Sequence, residues 1–419
     1  MNYSEALEYT HSLLRFGSRP GLERINALLE ELGNPHHHLK VIHIAGTNGK
    51  GSVSSIVSKI LETAGYKTAL FISPYIIDFR ERMQINSQYI SENEYAELCT
   101  TVKNAAERLP GDLHPTEFEL VTAIALLWFS RQKCDVAVFE TGLGGRLDST
   151  NVFEKPLATV ITSISMDHMA VLGDSLSEIA AEKCGIIKND CVVITSPYQP
   201  DEAMAVIKNT SNLKNALLIV PEINSVEIIS DTVFGSEFVY LGLKIRQPLA
   251  GTFQIENTVI AIEAVKQCGL CVGDNDIVSG IKNVRHPARF EVISSEPLVI
   301  LDGAHNVGGA KALSDSLKKY LGGKHLFGIC GMLKDKEYEK ALSCLTPLFD
   351  EIITVTPPNP RALSAHELKK QLESSVKKIT TADVNKELIP AAVSKANGRP
   401  VIIFGSLYLA GEIYKYLEK

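Results

Sequence analysis

The sequence predicts an α/β protein of two domains: a mostly parallel, phosphate-loop-type sheet flanked by helices and carrying a small antiparallel sheet, then a Rossmann-like α/β domain. Two observations lead there. Short β-branched apolar runs alternate with stretches of helical period through most of the chain, which is the rhythm of parallel strands covered on both faces. That rhythm breaks once, at Val226–Ile245, where strands follow one another without a long helix, and it restarts near residue 291. At 419 residues the chain is also long for a single core. The domains are therefore drawn at 1–290 and 291–419.

In the first domain the buried-strand candidates are Val41–Ile44, Thr68–Ile72, Val136–Phe139, Thr159–Ser163 and Val192–Thr195. The antiparallel piece is read as an appendage of this domain, and a helix is expected from Gln254 to about Gln267. Strands at Val299–Leu301, Leu326–Cys330, Ile352–Val355 and Val401–Phe404 make up the second domain.

Composition narrows the function. With 45% hydrophobic and 22% charged residues, a net charge of -7 and no dense basic run, neither nucleic acid nor a membrane surface is an expected partner. The first residues carry acids among their apolar positions, unlike a signal peptide, and the longest apolar run, Leu120–Phe129, cannot span a bilayer. A cytoplasmic monomer is expected. Eight scattered cysteines with one C-x-x-C pair, Cys268 and Cys271, read as free thiols, and His36–His38 after Asn-Pro reads as a solvated loop.

Four stretches carry chemistry. "GTNGKGS", residues 46–52, follows a strand and opens a helix, so its glycines let backbone N–H groups and Lys50 approach a phosphate. It is shorter than the usual phosphate loop, and a glycine-rich turn with an incidental lysine is the plainer alternative. Glu140 closes an apolar strand, where open α/β sheets bind ligands and where an acid can hold Mg²⁺ or simply serve as a cap or ion-pair partner. Asp167 and His168 end another strand, with Lys183 following on a helical stretch. Asp302, His305 and Asn306 open the second domain at a strand end, as ligand groups or as a helix cap.

Taken together, "GTNGKGS", "ETGLGGRLDSTN", "DHMAVLGDSLSEIAAEKCGIIK", "DGAHN" and the terminal "GSLYLAGE" resemble the Mur ligase family, in its folate branch of dihydrofolate and folylpolyglutamate synthases. The short loop with glycine after lysine is that branch's own form. The resemblance implies ATP-dependent amide formation through an acyl phosphate, with dihydropteroate, reduced folates, L-glutamate and ATP as substrates and two Mg²⁺ ions as cofactors. It implies that Thr47, Asn48, Gly49, Lys50, Gly51 and Ser52 cradle the phosphates, with Asn257, Arg289 and Asp302 also at the nucleotide. Ser73 and Glu140 would ligate one Mg²⁺, and His168 with a carbamylated Lys183 the other. Lys50, Lys183, His168, Asp302 and His305 would be catalytic. Gly21, Leu22, Thr116, Phe118, Asp148 and Ser149 would line a pterin pocket, the Phe118 ring offering a face and Asp148 accepting from the amino-pyrimidine edge.

The chain departs from the family pattern at Phe253, at His286 and Ala288, and at Val307, where His, Trp, Gly and Pro are common. A monofunctional folylpolyglutamate synthase, another Mur-type amino-acid ligase and a non-catalytic nucleotide switch are the competing readings. About forty residues precede the loop, fewer than a cell-wall ligase would need, and a switch has no use for Glu140, His168, Lys183, Asp302 and His305 together.

Overall fold

The computed structural model describes residues 1–17, 20–322, 325–334 and 338–417. The chain folds as two compact units. One comprises Met1–Tyr75, Phe79–Ser225 and Glu256–Asn283, the other Ile76–Asp78, Val226–Ile255 and Val284–Lys419.

Eight strands form the sheet of the first unit: β1 (Val41–Ala45), β2 (Thr68–Phe71), β3 (Met83–Ile85), β4 (Gln88–Tyr89), β5 (Val136–Glu140), β6 (Ala158–Ile161), β7 (Val192–Thr195) and β8 (Leu217–Ile219). Their order is β4-β3-β2-β5-β1-β6-β7-β8, parallel except for the β3–β4 hairpin. Every residue of β1, β2, β5 and β6 is buried, which is why these strands read as unbroken apolar runs. Central β1 lies between β5 and β6, so the loops after these three strands leave the sheet at one edge.

The helices of this unit are α1 (Tyr3–Ser12), α2 (Glu23–Glu31), α3 (Lys50–Thr63), α4 (Glu92–Ala106), α5 (Glu117–Arg131), α6 (Met169–Leu172), α7 (Leu176–Cys184), α8 (Asp201–Leu213), α9 (Gln254–Gln267) and α10 (Asp274–Lys282). Capping boxes at Asn2/Glu5, Ser91/Glu94, Thr116/Glu119 and Ser175/Glu178 start α1, α4, α5 and α7, each satisfying two otherwise orphaned N–H groups. The apolar run Leu120–Phe129 is the buried body of α5, packed with Phe71, Phe139 and Phe153.

The second unit holds two sheets. Strands β9 (Glu227–Thr232), β10 (Gly235–Tyr240) and β11 (Leu243–Gln247) form an antiparallel meander. The six-stranded sheet contains β12 (Glu291–Ser295), β13 (Leu298–Leu301), β14 (Leu326–Cys330), β15 (Phe349–Thr354), β16 (Lys378–Thr381) and β17 (Val401–Phe404), in the order β12-β13-β17-β14-β15-β16 with only β12 antiparallel. Helices α11 (Val307–Leu321), α12 (Tyr338–Leu345), α13 (Ala365–Leu372), α14 (Leu388–Ala396) and α15 (Leu407–Leu417) accompany it. The meander packs with this unit, whereas the sequence reading joined it to the first domain. Asp231 pairs with Lys319 and accepts from Tyr320 Oη at 2.7 Å, and Thr252 N donates to Ser316 Oγ at 3.1 Å, tying the meander and its exit to α11.

All eight cysteines are free; Cys268 is buried and Cys271 exposed. His36 is buried, not solvated as its loop setting implied, and burial with nearby His37 pushes its pKa down to about 4. Among the described residues no helix is long and apolar enough to cross a membrane.

Candidate functional site

The loop between β1 and α3 is fastened to the segment after β6. Thr47 N and Asn48 N donate to Ser163 O at 2.8 and 3.3 Å, and Thr47 Oγ1 exchanges bonds with Ser165 O and N, both at 3.1 Å. Gly46 has φ +157° and a Cβ there would collide with Thr162 Oγ1; Gly49 has φ +87° and a Cβ would sit 2.5 Å from Asn257 Oδ1. Both glycines are therefore required by close approach, and Asn257 borders the loop although it is far away in sequence. Gly51 and the buried Ser52 lie in the first turn of α3, whose N-terminal N–H groups and dipole favour an anion.

Lys50 curls over this loop, donating to Gly46 O at 3.2 Å and Thr47 O at 3.3 Å, with Glu140 Oε1 4.0 Å away. The other Glu140 oxygen accepts from Ser73 N at 3.3 Å. The buried Glu140 and half-buried Ser73 thus meet beside the lysine, through the backbone N–H of Ser73.

Lys183 comes to the same place from α7. It is 3% exposed and its Nζ donates to Gly46 O at 2.7 Å. Burial first, then the Lys50 charge, pushes its pKa down to about 7, against the opposing pull of Asp167 and Asp148. Much of it is therefore a neutral amine at neutral pH, the form that can add CO₂. His168 is exposed, in left-handed conformation at φ 52°, with Nε2 3.9 Å from Asp167 Oδ1. Among the described residues no three His, Cys, Asp or Glu side chains cluster as a metal site.

The residues expected to take a pterin fall into three turns. Thr116, buried, caps α5; Phe118, half-buried, lays its ring against Gly142, where a Cβ would be 2.5 Å from Cζ. Ser149 Oγ is 2.9 Å from Thr122 Oγ1 on α5. The Asp148 carboxylate is occupied by its own turn: it accepts from Leu143 N at 2.8 Å and from Thr150 N and Oγ1 at 3.0 and 2.6 Å. Gly142 N adds a further bond, and burial raises the Asp148 pKa against these donors. With about four acceptor positions on a carboxylate, Asp148 braces this turn rather than presenting itself to an amino-pyrimidine edge. Gly21 is buried at the entrance to α2, and Leu22 rims a cavity of about 380 Å³ shared with Asn26, His36, Asn151, Phe153 and Lys188.

In the second unit, Asp302 is buried and accepts from Phe290 N and Ala304 N, both at 2.7 Å. Burial raises its pKa and the nearby Arg289 charge opposes this. Arg289 is presented between Ala288 and Phe290, both at positive φ (53° and 49°). This turn is braced by Ala288 N, which donates to Glu291 Oε2 at 2.8 Å and to Tyr414 Oη at 3.1 Å. Ala288 thus adopts the left-handed conformation that favours glycine, the residue the family pattern leads one to expect there. The His305 ring sits with Nδ1 2.8 Å from Gly303 O, and Asn306 caps α11, accepting from Gly309 N at 2.7 Å; Val307 begins that helix without proline.

Family models decide the lineage. The Mur ligase middle domain matches residues 44–265, and the Mur ligase glutamate ligase domain matches residues 288–407. The chain belongs to the Mur ligase family. This family member is 36% identical over 430 residues to a dihydrofolate synthase/folylpolyglutamate synthase of Bacillus subtilis, covering 99% of each chain. A Mycobacterium tuberculosis folylpolyglutamate synthase complexed with ADP and AMPPCP superposes on it with a TM-score of 0.90 at 29% identity, covering 100% of this chain and 99% of that one. A folylpolyglutamate synthase structure with AMPPCP and folate gives a TM-score of 0.84 at 31% identity, covering 100% of both.

The sequence reading missed the Thr162–Ser165 brace of the loop, the seat of Phe118 on Gly142, and the Arg24–Glu119 pair between α2 and α5. The polar "TSIS" after β6 was the one local signal for the first. The other two are long-range pairings with no local signal.

Proposed function

We infer that this Mur ligase is an ATP-dependent acid–amino-acid ligase, a cytoplasmic monomer that joins L-glutamate to dihydropteroate, forming dihydrofolate, and to reduced folates, extending their glutamyl tail. The observation that carries the reading is the convergence of the glycine loop, Lys50, Ser73, Glu140 and buried Lys183 at one sheet edge. A nucleotide switch would need the loop but not a buried lysine pressed onto it. Full-length similarity to folate-branch relatives supports the substrate class.

A carboxylate is a poor acyl donor. Its oxygen attacks the γ-phosphorus, ADP leaves, and the acyl phosphate gives the glutamate amine a carbonyl with phosphate as leaving group; the amine loses one proton as the amide forms. Two anions must first meet, so positive charge is needed at the phosphates. Lys50 and the N–H groups of Gly49 to Ser52 supply part of it, while Thr47 and Asn48, whose N–H groups are taken by Ser163 O, hold the loop in place. Ser73 and Glu140 would hold one Mg²⁺, and His168 with Lys183 as its carbamate a second; bound there, the ions neutralise phosphate charge. Neutral Lys183 forms the carbamate by adding CO₂ and releasing a proton. Asn257, which borders the loop at Gly49, would meet the adenine side. Arg289 and Asp302 are assigned to the nucleotide and His305 to the transferring group, as the family resemblance implies. Gly21, Leu22, Thr116, Phe118 and Ser149 hold the pterin, with Asp148 bracing the turn beside them.

The test is purified protein with ATP, Mg²⁺, L-glutamate and either dihydropteroate or a reduced folate, with products identified by mass. Each acid should gain one glutamyl residue and ADP should form only when acid and glutamate are both present. Activity on the folate alone would leave the monofunctional reading.

A further inference from the structure

Arg24 and Glu119 lie 95 residues apart in sequence and form a buried fork between α2 and α5. Arg24 Nε is 3.1 and 3.2 Å from the two Glu119 oxygens, and Nη2 is 3.0 Å from Oε1, with side chains only 12% and 4% exposed. The same carboxylate closes the cap of α5, its Oε2 accepting from Thr116 N at 2.7 Å and Thr116 Oγ1 at 2.8 Å. One carboxylate therefore fixes the first turn of α5 and grips α2 at once. Arg24 stands two residues after Leu22, and Glu119 follows Phe118 directly.

We propose that Arg24 is a positioning residue for the acid substrate: through Glu119 it sets the spacing between the Gly21–Leu22 turn and the Thr116–Phe118 turn, and so shapes the pocket for a flat, bicyclic pterin. The inference rests on the pterin reading above. An exposed ion pair could not do this, because two long side chains in water hold no fixed geometry. A buried, bidentate guanidinium–carboxylate pair does fix geometry, and lysine cannot reproduce its fork. Without the guanidinium, Glu119 still caps α5, but this bidentate tie between α5 and α2 is lost. Neither side chain belongs to the phosphate loop or to the Ser73, Glu140 and Lys183 group.

The experiment measures Arg24→Gln, Arg24→Lys and Glu119→Gln for steady-state kinetics with dihydropteroate and for calorimetric binding of pteroate, with AMPPCP binding as the control. A charge-assisted hydrogen bond is worth about 1.5–3 kcal/mol, which corresponds to roughly a 10- to 100-fold change. Arg24→Gln should raise the dihydropteroate KM and the pteroate Kd by that factor, leave kcat within a few-fold, and leave AMPPCP affinity unchanged. Arg24→Lys should fall between it and wild type. If Arg24→Gln does not fold, Glu119→Gln decides by the same measurements, because its amide oxygen still caps Thr116 while its NH₂ opposes the guanidinium. Wild-type pteroate affinity in the variant that folds, or equal losses for pteroate and AMPPCP, would overturn the inference alone. Wild-type protein that binds no pteroate would overturn the pterin reading and the inference with it.

Discussion

Replacing Gly142 with alanine should test the aromatic wall of the pocket. Gly142 stands two residues beyond the end of β5, and an added Cβ would lie 2.5 Å from Phe118 Cζ and 2.6 Å from Cε1. Its backbone is not left-handed, and the three atoms nearest the added methyl all belong to the ring. Carbon atoms settle at about 3.5 Å or more, so the ring edge must move by about 1 Å. Phe71, fully buried with its centroid 5.9 Å from that of Phe118, backs the ring on another side. Overpacking of this kind costs about 1–3 kcal/mol, and a displacement of this size in a positioning contact costs on the order of 10²-fold in rate. Gly142→Ala should accordingly lower kcat/KM for dihydropteroate about 10²-fold while AMPPCP binding is retained. Adding Phe118→Ala should restore the melting temperature but not the pteroate affinity, separating the clash from the lost ring. Calorimetry of pteroate together with initial rates is the assay. A kcat/KM within twofold of wild type would refute the placement of Phe118 in the pocket.

Other outcomes follow from the same geometry. Lys183→Ala should abolish turnover while preserving the fold, with partial rescue by a small carboxylic acid; sustained turnover without rescue would rule out the carbamate. His305→Ala should cut turnover by roughly 10²-fold with nucleotide affinity unchanged, measured by initial rates and AMPPCP titration. His43, buried in β1, has its pKa pushed down from 6.5 to about 3 by burial and by Lys188. Between these values the unfolded chain binds a proton that the native state refuses, so stability falls as pH drops below 6.5. At pH 5 the deficit is about 2 kcal/mol. Urea unfolding followed by the fluorescence of Trp128, the sole tryptophan, should show it in wild type and less of it in His43→Asn; parallel pH profiles would refute it.

The parallel strands were visible in sequence because burial on both faces leaves continuous apolar runs such as "VAVFE" and "VIIF". The β3–β4 hairpin was not. Its strands are two and three residues long, and its turn, Asn86-Ser87 with φ 47° and 61°, carries no glycine to mark it. At the site, the loop and strand-end acids could be read locally because strand ends are where such a sheet exposes polar groups. The role expected of Lys183 comes from the family resemblance, and no local pattern foretells its burial against Gly46 O beside Lys50. Asp148 shows the reverse. Its residue type suited a pterin edge, but only coordinates reveal that its acceptor positions are filled by Leu143, Thr150 and Gly142.

The interleaved make-up of the two units bears on how the chain emerges from the ribosome. The first unit is not complete until Asn283 has been synthesised, yet by then the meander of residues 226–255 has already appeared, and α11, which holds Asp231 and Thr252, has not. That meander must wait, with Ile228, Ile229 and Phe234 more than half exposed even in the finished protein. Waiting strands with apolar faces are where nascent chains associate wrongly. A gene cut after residue 283 would make the wait permanent, so a fragment meant to isolate the first unit should lose residues 226–255 to a short linker rather than end at the boundary drawn along the sequence.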